Sequence, residues 1–166
     1  MKAPHLVAIT CATCLFGCSL FSALGWDFRS PATRAQGLAS RCSNYWVERT
    51  PLLFTPSTIE KVEGAYSYVQ SGAMNREARL RGALLHLGPE PGLTREALQR
   101  AVECHQAHVL LGREKELPHD PYTLAGQWLD IDANSEGDGF TVAVQTDKFP
   151  TAKEVLDRAR EFVATR

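Results

Sequence analysis

The sequence predicts an α+β two-layer sandwich, a four-stranded antiparallel sheet with two helices on one face, in the order ββαββα. Three observations predict it. Two pairs of short segments with alternating apolar residues, each pair joined by a polar turn, read as hairpins. Each pair is followed by a longer segment whose apolar residues recur at helical spacing. The chain of 166 residues, 44% hydrophobic and 22% charged, suits one compact core plus a short appendage.

In chain order, "KVEGAYSYVQ" is β-rich and stops at Ser71-Gly72, and "ARLRGALLHLGP" is extended, with Ala83, Leu85 and Leu87 on one face. "PGLTREALQRAVECHQAHVLLG" predicts a helix with Thr94 as N-cap, Glu96 in the first turn and Gly112 as the stop. After the polar loop "REKELPHDPY", Leu129 and Ile131 alternate with Asp130 and Asp132, and Phe140, Val142 and Val144 alternate with Thr141 and Ala143. This is a second hairpin, with Asn134 to Gly139 as its expected turn. "FPTAKEVLDRAREFVATR" closes the chain as an amphipathic helix with Val155, Leu156, Ala159, Phe162 and Val163 on one side. Both helices carry L-x-R-A-x-E, at Leu98–Glu103 and Leu156–Glu161, which raises the question of a ββα duplication that chance explains about as well.

The N-terminal quarter differs. Residues 6–26, "LVAITCATCLFGCSLFSALGW", carry no charge and follow a short start containing Lys2, the composition of an export signal. Within it, Leu15-Phe16-Gly17-Cys18 resembles the lipobox of bacterial lipoproteins. That resemblance covers about four residues and implies a lipid-bearing Cys18 as the mature terminus, with the domain facing the periplasm. Two rivals stay open: cleavage before Trp26 after Ala23-Leu24-Gly25, releasing a soluble periplasmic or secreted protein, or retention of residues 6–26 as a membrane span. Ser19 is not the Asp that often retains lipoproteins at the inner membrane, which leaves inner and outer membrane undecided. The expected organisation is a signal segment at 1–17, a tether at 18–43, whose Ser, Ala, Arg and Gly show no sustained periodicity, and a single α+β domain at 44–166. Its first stretch, cut by Pro51 and Pro56, reads as an irregular arm.

Signal removal and lipidation leave Cys42 and Cys104 as the remaining thiols. In an oxidising compartment they would be able to form a bridge, contributing about 3 to 5 kcal/mol on the chain-entropy model. The competing use of Cys104 is in "ECHQAH". At 100° per residue Cys104 and His108 share a face and His105 lies beside them near the centre of the apolar stripe, while Glu96, Gln99, Arg100, Glu103 and Gln106 fall on the opposite arc. Cys with His suits copper or zinc, with His86 or His119 as a further ligand, although alternation puts His86 opposite Ala83, Leu85 and Leu87. The bland reading makes Cys104 a small hydrophobe, His105 a core imidazole bonded to a backbone carbonyl, and His108 a rim residue.

"DIDANSEGDG" resembles the opening of calcium loops through Asp130, Asp132 and Asn134. Ser135 stands where that loop demands Gly, however, and Thr141 where it demands a bidentate Glu, so a solvated hairpin face is the better account. No nucleophile elbow, HExxH, P-loop or dinucleotide fingerprint occurs. His119-Asp120-Pro121 reads as a turn and not as a dyad. A Cys-dependent enzyme would have to use Cys104, on an apolar face that favours an inert thiol. With a net charge of -1 and no long Lys/Arg run, nucleic acid is not an expected partner. The expectation is a non-enzymatic cell-envelope lipoprotein with a binding or assembly role, partnered by the membrane and by another envelope protein. The alternative is a periplasmic copper- or zinc-binding protein using Cys104, His105 and His108.

Overall fold

The computed structural model describes residues 29–42, 55–70 and 76–165. The signal segment, Cys18 and most of the irregular arm lie outside these. The described residues form a mixed α+β fold: a four-stranded antiparallel sheet and three helices. Strands β1 (Ile59–Gln70) and β2 (Arg76–Leu87) are the first hairpin, and β3 (Asp130–Glu136) and β4 (Gly139–Gln145) the second. The hairpins join through β2 and β4, with Leu85 opposite Val142, giving the order β1-β2-β4-β3.

One sheet face is apolar, because alternation brings Ala83, Leu85 and Leu87 of β2 beside Phe140, Val142 and Val144 of β4. Helix α2 (Arg95–Leu110) adds Leu98, Ala101 and Val102 to that cluster, and helix α3 (Phe149–Ala164) adds Val155, Leu156, Ala159 and Phe162. Each helix reaches across: α2 follows the first hairpin but packs on β3, while α3 follows the second and packs mainly on β2 and β1. The opposite face carries the other alternation set, including His86, whose Nε2 and Nδ1 lie 2.9 Å and 3.1 Å from Glu63 and Glu136.

Gly82 is required where the hairpins meet. Its φ is +147°, and a Cβ there would lie 2.0 Å from the Val144 carbonyl oxygen. The register of β1 and β2 shifts at this point, between Ala65 and Tyr66.

Two expectations are corrected. Helix α1 (Pro31–Ala39) lies inside the stretch read as a tether, so the described residues form three α-helices where two were expected. Ser30 accepts from the Thr33 N–H, Pro31 opens the first turn, and the small residues Ala35 and Ala39 let the helix approach Ala107 closely. The turn of the second hairpin is also shorter than Asn134–Gly139: β3 runs to Glu136 and only Gly137 and Asp138 turn, with Gly137 at φ +58°. Asn134 to Glu136 are polar because they are exposed strand residues, not because the chain bends there.

Candidate functional site

The site is built on α2. The helix starts where Thr94 Oγ1 accepts from the Ala97 N–H, and it ends before Gly112 at φ +66°. Its sixteen residues bring the buried Cys104, His105 and Gln106 to three different neighbours.

Cys104 is joined to Cys42, just past α1, with Cα atoms 5.8 Å apart. Its sulfur is therefore neither a free small hydrophobe nor a thiolate in this state. The bridge pins α1 to α2 beside the contact of Ala35, Ala39 and Ala107, with Leu38, Leu110, Leu111 and Trp128 around it.

His105, 2% exposed, is held by side chains where a backbone carbonyl was expected. Its Nε2 lies 2.6 Å from Asp120 Oδ2 and its Nδ1 3.0 Å from Glu114 Oε1. Burial works against the imidazolium, but the hydrogen bond and charge of Asp120, with Glu114 behind them, outweigh it and raise the His105 pKa above the ordinary 6.5. Asp120 is itself 1% exposed and accepts from the Tyr122 N–H through its other oxygen, an Asx turn. The turn read at His119-Asp120-Pro121 is present, and it also delivers a buried acid to His105. Burial, reinforced by the charge of Asp120, pushes the Tyr122 phenol up.

Gln106 is fully buried and Gln99 partly so, where both were assigned to the solvent arc. Gln106 accepts from the Leu129 N–H at 2.7 Å and donates to the Leu129 carbonyl at 3.1 Å. One step up the helix pair of turns, Gln99 accepts from the Ala133 N–H at 2.6 Å and donates to the Ile131 carbonyl at 2.8 Å. The two amides stand in for a neighbouring strand from Leu129 to Ala133, the entry and first half of the outer edge of β3.

Outside this centre, a groove of about 690 Å³ runs between loop residues 115–119 and α3. Three side-chain pairs line it: His119 Nδ1 with Glu161 at 2.7 Å, Lys153 with Asp157 at 2.5 Å, and Arg158 with Glu116, beside Lys115 and Glu154. Arg158 also donates to the Asp120 carbonyl at 3.2 Å, linking groove to centre. His119 sits at φ +56°, a conformation that side chains other than Gly, Asn and Asp rarely adopt.

The candidate ligands thus go different ways. Cys104 is bridged, both ring nitrogens of His105 face carboxylates, His108 is at the partly exposed margin, His86 is on the far face of the sheet, and His119 is in the groove. Among the described residues no group of three or more His, Cys, Asp or Glu is placed to hold one metal ion. Asp132 and Asn134 lie exposed on β3 and bond to each other at 2.9 Å, and Asp130 faces Arg34 at 3.7 Å. Asp120, Glu114 and the two glutamines were missed. Only the Asx-turn pattern of "HDPY" pointed to any of them.

Comparison with known proteins adds no relative: no family model matches the chain, and neither the curated proteins nor the solved structures contain a significant match.

Proposed function

We propose that the chain is an exported cell-envelope domain, held at a bacterial membrane through lipid on Cys18, and that it binds or assembles and does not catalyse. The observation that carries this reading is the Cys42–Cys104 bridge. Structural disulfides persist in oxidising compartments and are rare in the cytosol, so the bridge argues for export independently of the uncharged segment at 6–26. The bridge also fastens the end of α1 to the core, which suits a chain pulled from its N-terminal side. The binding role draws support from the groove, where three side-chain pairs lie along an open surface and do not converge on one reacting atom. In this reading the two ββα halves form one two-layer unit, each helix covering the hairpin of the other half.

Mass spectrometry of the mature protein from membrane and soluble fractions tests the proposal. The expected result is a diacylglyceryl group on Cys18 as the first residue, in the membrane fraction. A terminus at Trp26 in the soluble fraction would keep export and remove the anchor. A full-length chain with free thiols at Cys42 and Cys104 would overturn both.

A further inference from the structure

The two edges of the sheet differ. The entry and first half of β3 are met by the amides of Gln99 and Gln106, and the strand carries Asp130, Asp132 and Glu136. At the other edge β1 pairs with β2 on one side and, among the described residues, with no strand on the other. Edge strands are ordinarily guarded by charge, proline or a bulge. In β1 such guards occupy only the first part, where Glu60, Lys61 and Glu63 stand and the register slips between Ile59 and Lys61. From Gly64 to Gln70 there is no charge and no proline, and the second register shift leaves its extra residue, Arg81, on β2.

This stretch also has few neighbours. β4 pairs with β2 only from Gly82 to Leu87, so from Tyr66 to Gln70 the strands β1 and β2 run on as a two-stranded ribbon beyond the four-stranded sheet. Its base is fastened by the Thr146 N–H to the Arg81 carbonyl at 2.8 Å and by Arg79 to the Asp147 carbonyl at 2.9 Å. A lone ribbon is marginal in water, and a third strand stabilises it. Here Tyr66, Tyr68 and Val69 are 56%, 72% and 50% exposed, and alternation puts the two rings on one face and Val69 on the other.

The charge pattern selects the occupant. Laid antiparallel on a copy of itself about Ser67, the stretch from Gly64 to Gln70 meets only uncharged residues: Ser67 on Ser67, Tyr66 of each copy on Tyr68 of the other, Ala65 on Val69, and Gly64 on Gln70. A centre one residue nearer Ile59 brings Glu63 onto Val69, and one nearer Gln70 shortens the ladder. We propose that the β1 edge from Gly64 to Gln70 is a homodimer interface, at which two copies join antiparallel about Ser67 into one eight-stranded sheet. The two-fold axis stands perpendicular to that sheet, so α2 and α3 of both copies lie on the same side. The proposal is independent of the lipid on Cys18 and of the α3 groove.

Sedimentation of the purified full-length chain in mild detergent, with hydrogen exchange on the same samples, tests it. Expected is a concentration-dependent dimer in which amides between Gly64 and Gln70 exchange more slowly as the dimer forms. Ser67→Lys sets two cations on the axis and weakens self-association about tenfold, Ser67→Glu does the same with two carboxylates, and an equimolar mixture of the two variants regains the dimer. Tyr68→Asp removes both tyrosine pairs at a side chain open to water in the monomer, and it weakens the dimer as well. Unchanged exchange in β4 reports that each variant is folded. A chain monomeric at every concentration overturns the proposal, whether its β1 edge exchanges fast or is held slow by a segment of the same chain. A dimer that the folded variants leave intact uses another surface and overturns it, and so does a mixture of folded charge variants that stays monomeric.

Discussion

The side-chain amide of Gln106 and the backbone of Leu129 exchange two hydrogen bonds, N–H to Oε1 at 2.7 Å and Nε2 to carbonyl at 3.1 Å, in a fully buried position. A glutamine thereby does the work of a β-strand partner, and Gln99 repeats the arrangement on Ile131 and Ala133. This is how the fold closes the sheet edge at β3 and fixes α2 against it, and so where Cys104 and His105 point.

Gln106→Ala leaves a buried N–H and a buried carbonyl without partners, each costing about 1 to 3 kcal/mol. The expected loss is about 3 kcal/mol by urea unfolding, against about 1 kcal/mol for Gln99→Ala, whose site is only partly buried. Equal small losses for the two variants would argue that the amides do not carry the edge.

His105 makes stability depend on pH. Its folded-state pKa lies above the unfolded value, so its contribution is complete below the unfolded value of about 6.5 and is lost as pH rises through the folded value. The expected outcome is a stability gap between the native protein and His105→Gln that is largest below the unfolded value of about 6.5 and shrinks as pH rises through the raised folded value. Urea midpoints at a series of pH values from slightly acid to alkaline check it, and a gap that widens with pH would contradict the carboxylate cradle of Asp120 and Glu114.

The bridge closes a loop of sequence separation 62, worth about 4 kcal/mol on the chain-entropy model. A Cys42→Ala/Cys104→Ala variant should unfold at a correspondingly lower urea concentration. Protease should also cut first near α1, whose other contacts include a small cluster of alanines and leucines with Trp128 and the partly exposed Arg34–Asp130 pair. An unchanged midpoint would remove the bridge from the account of stability.

Gly82→Ala places a Cβ 2.0 Å from the Val144 carbonyl oxygen at a φ that suits glycine. A loss of roughly 3 kcal/mol or failure to fold is expected. Gly92→Ala is the control, since it too has a positive φ, +77°, but nothing within 4 Å, and it should lose only about 1 kcal/mol.

Much of the fold is legible because it rests on periodicity. Ala83, Leu85 and Leu87, like Phe140, Val142 and Val144, recur at every second position, and Thr94 and Gly112 mark the ends of α2. Helix α1 escaped because its buried face is only Ala35 and Ala39, too weak to stand out from a polar stretch, although Ser30-Pro31 is a helix start. The site was half legible for a different reason. A helical projection finds the inward arc of Cys104 and His105, but it assigns Gln106 to solvent because it cannot see that a strand edge lies against the polar side of α2. Asp120 and Glu114 reach His105 across a loop of irregular backbone, and no spacing rule encodes that contact.

The most direct measurement is the redox state of two cysteines in the protein as cells make it. Cells are quenched in acid, free thiols are alkylated before any reductant is added, and the peptides holding Cys42 and Cys104 are identified by mass spectrometry. The account predicts that neither cysteine takes label and that the two peptides are recovered as one linked pair, separable only by reduction. Prompt labelling of both in the folded protein would contradict the bridge and, with it, the case for an exported domain.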